Sequence, residues 1–142
     1  MGRRRQLVRL PDWNSRFIEY IRWVRVQPFQ PGILDCGLLL AGAVEALTGV
    51  DYASKFRGKY QTLEEGKERL QEVGFNNHFQ FAQSILPMAH PSEAMIGDGA
   101  IMRTDDDQFG LGVVIGSRVL CLTEHKGAVT FDLMEAKRVL LV

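Results

Sequence analysis

Cys36 is the residue in this chain best placed for chemistry, because Asp35-Cys36 opens its most apolar stretch, Cys36 to Thr48. A helix start carries unpaired backbone amides and about half a positive charge, and both favour thiolate over thiol. The arrangement predicts a nucleophile at Cys36, Asp35 as helix cap or orienting group, and backbone amides around Cys36 and Gly37 as oxyanion donors. A thiol hydrolase also needs a base to activate the sulfur. The three histidines, His78, His90 and His125, all fall in segments that read as surface loops. His125 is the least remote substitute, since it follows the strand that carries Cys121.

The other reactive residue types have simpler readings. Asp105-Asp106-Asp107 reads as a solvated hairpin tip, lacking the alternating ligands and distal Glu of an EF-hand loop. Asp98 is expected to fix the start of a strand through turn hydrogen bonds. Cys36 and Cys121 form no zinc-ligand spacing, and Cys121 reads as a small core residue on a strand. No metal and no cofactor are expected.

The elements that must position these groups follow from periodicity. Pro11-Asp12 starts an amphipathic helix with Trp13, Phe17, Tyr20, Ile21 and Val24 on its inner side, ending before Pro28. Cys36 to Leu47 holds one charge, Glu45, and is otherwise apolar or small all round, which predicts an enclosed central helix capped by Asp35 and Gly49. Thr62-Leu-Glu-Glu65 has the capping-box pattern, so a third helix is expected over 63–72 with Leu63, Leu70 and Val73 facing inward. A short helix is expected over 79–86. From Ala100 onward the pattern changes to short apolar runs between turn residues, which predicts four or five antiparallel strands. Helices first and strands afterwards give an α+β domain.

With 142 residues, 46% of them apolar, the chain fits one domain, 1–142, with a core of its own. Lysine plus arginine equals aspartate plus glutamate at 17 each, so net charge favours neither nucleic acid nor a membrane surface as partner. Residues 1–10 are locally basic through Arg3-Arg4-Arg5 and Arg9, and read as a solvated, flexible tail. No stretch reaches the roughly 20 apolar residues of a membrane span, and no secretion signal is legible, which predicts a chain made and folded in the cytoplasm.

The order of motifs resembles the NlpC-type cysteine peptidases, a compact papain-like fold. The resemblance is carried by Asp35-Cys36-Gly37, Gly97-Asp98-Gly-Ala-Ile-Met102, Leu111-Gly-Val-Val-Ile-Gly116 and Val119-Leu-Cys121, over roughly residues 28 to 133. It implies N-terminal helices with a buried central helix packed on a C-terminal antiparallel sheet. It also places Leu111 where the family has its catalytic histidine and Cys121 where it has the third, orienting residue, so these two are vestigial positions. The opening helix, the Pro-Phe lead-in to Asp35-Cys36 and the run Ala43 to Asp51 are similar to a branch of this fold found in tailed-phage and prophage tail gene clusters.

What the resemblance implies is a degenerate peptidase fold serving as a structural part of a phage tail tip or tail assembly. Its expected partners are other tail proteins of the tip, hub or distal tail, and its expected location is the host cytoplasm during assembly, then the virion tail. On this reading the old cleft is filled by Leu111 and apolar neighbours, and Phe56, Tyr60, Phe79 and Phe81 are contact residues or core. The alternative is an active peptidase or amidase that cleaves peptidoglycan during genome entry, with Cys36 as nucleophile and His125 as base.

Overall fold

The sheet is open, antiparallel and six-stranded, with the order β1-β6-β2-β3-β4-β5. A computed structural model describes residues 5–103 and 109–142, the side chain of Phe109 excepted. Among the described residues four helices precede the sheet: α1 (Trp13–Arg25), α2 (Cys36–Thr48), α3 (Leu63–Glu72) and α4 (His78–Ile85). The strands are β1 (Met88–Ala89), β2 (Gly99–Arg103), β3 (Phe109–Val114), β4 (Arg118–Thr123), β5 (Gly127–Asp132) and β6 (Ala136–Leu140). The fold is α+β, with one strand more than the upper sequence expectation. The added strand is β1, whose two residues after Pro87 are too few to show a period.

α2 forms as its sequence dictates. The Asp35 side chain accepts from the Leu38 amide at its start, and Gly49 closes it in the left-handed conformation at φ 80°. α1 packs beside it, burying Phe17, Ile21 and Val24. The approach is close because position 42 is glycine: a Cβ there would lie 2.2 Å from the Tyr20 hydroxyl, which donates to the Leu39 carbonyl at 2.8 Å.

The sheet is apolar on both faces, which is why its strands read as near-continuous hydrophobic runs. Ile101, Leu111, Val113, Leu120, Leu122 and Leu140 pack with Leu39, Leu40, Val44 and Leu47 of α2. The alternate residues Ala100, Met102, Val114, Val119, Cys121 and Val139 form a second core on the other face, against Ala94, Val129 and Leu133. Cys121, read from the sequence as a small core residue on a strand, is one of these. Cys121 pairs with Gly112 and faces away from α2, and the side chain on the α2 side of that strand is Leu122.

α3 departs from expectation. Leu70 is buried, but Leu63 is 45% and Val73 57% exposed. The helix packs through Leu70 and Gly66, the latter against the Tyr60 ring, and leaves its N-terminal end standing beside a cavity.

The basic segment is not a free tail where it is described. The Arg5 guanidinium forms a bidentate pair with Asp98 and also donates to the Val142 carbonyl at 2.8 Å. Arg9 reaches the same carboxylate at 3.3 Å, and donates to the carbonyls of Ile96 and Val142. Asp98 is fully buried and accepts besides from the Met95 and Val142 amides, so the expected turn bond is one of several. Buried carboxylates persist only when paired in this way. Arg3, Arg4 and the Asp105 to Asp107 run lie outside the described residues.

Candidate functional site

Asp35 organises the site from beneath. Its carboxylate is 2% exposed and accepts from the amides of Gly32 and Leu38 and from the Tyr60 hydroxyl. One acidic group thereby joins the turn before α2, the first turn of α2 and the loop before α3. Gly32 is required there: its φ is 82°, and a Cβ would stand 1.9 Å from the Tyr60 carbonyl oxygen.

Cys36 occupies the first position of α2, partly buried, and its thiol donates to the Leu122 carbonyl at 3.5 Å. Burial, with the Asp35 carboxylate as a second cause, pushes the thiol up to about 11. The expectation that the helix start would favour thiolate is corrected here. Desolvation and a neighbouring negative charge outweigh the backbone amide that acts in the other direction. Cys121, on the far face of the sheet, is pushed by burial to about 12.

Beside Cys36 opens a cavity of about 510 Å³. Its walls come from the start of α2, the loop carrying Tyr52, Phe56 and Tyr60, the α3 residues Leu63, Lys67 and Leu70, and the start of α4. Leu111 contributes to the wall but does not fill the space, so the expectation of a plugged cleft is corrected. The four aromatics considered as contacts all line it. Phe81 is the hub of the cluster, with ring centroids 5.5 Å from Tyr52, 5.0 Å from Phe56 and 5.2 Å from Phe75.

Of the histidines, His78 is the one in this wall, which corrects its reading as part of a surface loop. It starts α4, packs its Cβ near Gly37 and stacks on Phe79 with centroids 4.3 Å apart. Its Nε2 is enclosed and has no hydrogen-bond partner among the described residues, and burial lowers the imidazole below its ordinary 6.5. His125 is exposed in the β4–β5 turn, and His90 caps a single 3-10 turn at Pro91–Glu93. None of the three bonds to the Cys36 sulfur, so His125 is not placed as its base. A signal for His78 was present: Asn77 caps the Gln80 amide and Gln80 answers to the Asn76 amide, a reciprocal pattern that starts the helix at His78.

Chemically, the site offers a protonated thiol, a neutral imidazole, a buried carboxylate whose bonds are directed inward and, among the described residues that line it, one cation, Lys67 of α3. Among the described residues no group of three or more His, Cys, Asp or Glu side chains is placed to hold a metal ion. No helix among them is long and apolar enough to cross a membrane.

An α+β domain with a thiol at the head of its central helix and an open antiparallel sheet behind it defines the class. The chain matches, over residues 8–142, the family described as a domain of unknown function, DUF6950, and belongs to that family. No curated protein matches it.

Proposed function

We propose that this chain is a catalytically silent domain of the NlpC type, a structural component of a phage tail tip or tail assembly docked to other tail proteins. The observation that carries the silent reading is the state of Cys36. Its proton is committed to the Leu122 carbonyl, its thiol is pushed up to about 11, and no histidine bonds to it. Leu111, in the position that the resemblance assigns to the catalytic histidine, is an apolar wall residue that cannot take a proton. The tail assignment is supported by the sequence resemblance at the Asp35-Cys36 lead-in and the Ala43 to Asp51 run.

The test is incubation of the purified protein with muropeptides beside Cys36→Ala and His78→Ala variants. No cleavage by any of the three is expected. Cleavage by the parent that both substitutions abolish would establish the peptidase reading instead, with His78 rather than His125 as base. Co-purification of the chain with adjacent tail gene products tests the assembly role, and a chain recovered free of all of them would refute it.

A further inference from the structure

The cavity beside Cys36 has the shape and polarity of a ligand site rather than of a packing defect. Phe56, Phe81, Leu63 and Leu70 give it apolar walls, and about 510 Å³ lies within the range of roughly 300–1,000 Å³ of sites that enclose one small molecule. Its charges are unequal in availability. The Asp35 carboxylate is engaged by two amides and the Tyr60 hydroxyl. Lys67 is exposed and makes no ion pair among the described residues. The free charge on the wall is therefore positive.

We propose that the cavity binds an amphipathic monocarboxylate, its apolar body between α3 and the Phe56–Phe81 pair and its carboxylate at the Lys67 ammonium. This deepens the non-catalytic reading of the same cleft by naming what the cleft holds. An apolar body of several carbons is favoured because each buried methylene contributes about 0.8 kcal/mol, whereas the exposed Lys67 sets orientation and adds little.

The experiment is a methyl NMR titration of the full chain with decanoate, with decanol and with an apolar pentapeptide. Saturable shifts are expected for decanoate at the methyls of Leu38, Leu63, Leu70 and Leu111, with Val139 and Leu141 on the far face unmoved. Decanoate should bind about two- to fivefold tighter than decanol, and Lys67→Gln should remove that margin without unfolding the exposed site. The proposal is overturned by absence of saturation up to about 10 mM decanoate, by shifts centred elsewhere, by equal binding of decanol, or by the pentapeptide binding where decanoate does not. Muropeptide cleavage would sink the silent reading and leave decanoate binding standing. Failure of decanoate binding would do the reverse.

Discussion

The Tyr60 hydroxyl donates to the carboxylate of Asp35, twenty-five residues earlier in the chain, and this bond closes the loop before α3 onto the first turn of α2. The same carboxylate holds the Gly32 and Leu38 amides, so the cavity's floor and one of its walls hang on a single buried acid. Tyr60→Phe keeps the ring against Gly66 and removes only the donor. It should cost about 1–3 kcal/mol, the range for a buried acceptor that loses a partner. Urea unfolding checks this, and a change below about 0.5 kcal/mol would show that Asp35 is satisfied without Tyr60.

Cys36 should behave as an inert thiol. With its pKa near 11, about one molecule in a thousand carries thiolate at pH 8. Iodoacetamide labelling in the native state should accelerate with pH well beyond 9, far later than for a free cysteine. Asp35→Asn removes the second cause of the shift while an amide oxygen still caps Leu38, so it should speed labelling at pH 8. An unchanged rate would show that burial alone controls the sulfur.

His78 should make the protein acid-sensitive. Its folded pKa is below the ordinary 6.5, so in the window below that value the unfolded chain takes up a proton that the folded chain resists. The unfolded state binds more protons, and stability falls as pH drops through that window. His78→Phe keeps an apolar ring on Phe79 and removes both the titration and the unpartnered Nε2. The variant should gain about 1 kcal/mol at pH 7 and more at pH 5, read by urea midpoints at the two values. Parallel loss of stability in both proteins would remove His78 from the acid response.

Gly42→Ala sets two effects against each other. Alanine favours a helix by about 1 kcal/mol over glycine, but its Cβ would stand 2.6 Å from the Tyr20 ring as well as 2.2 Å from its hydroxyl. The contact wins, because α1 must move off α2 to relieve it, and the substitution should lower the melting temperature. Tyr20→Leu in the Gly42→Ala background should recover part of the loss. A Gly42→Ala protein more stable than the parent would show that Tyr20 moves freely.

What the sequence made legible was local. Asp35 and Gly49 bound α2, Thr62 starts α3, and the runs after Ala100 are strands, because caps and short periods act over a few residues. The cavity was not legible, because its wall joins α2, α3, α4 and β3 and no spacing relates His78 or Lys67 to Cys36. The Arg5–Asp98 pair spans 93 residues and is equally invisible to a local reading. Leu63 and Val73 misled because apolar spacing identifies a helix face but not whether anything covers it. In a sheet apolar on both faces the sequence does not reveal which alternate side chains meet α2, and Cys121, buried on its strand as expected, lies on the other face.

The position of β6 has a consequence for how the molecule comes into being. Although it follows β5 in sequence, β6 lies between β1 and β2, pairing Val139 with Ala89 on one side and with Ala100 on the other. During vectorial synthesis β2 can pair with β3 while its other edge stays open, and β1 has no partner at all. Until residues 136–140 leave the ribosome, that edge is a template for pairing with another chain. The nascent protein therefore stays open to edge pairing at β2 until β6 has emerged to cover it.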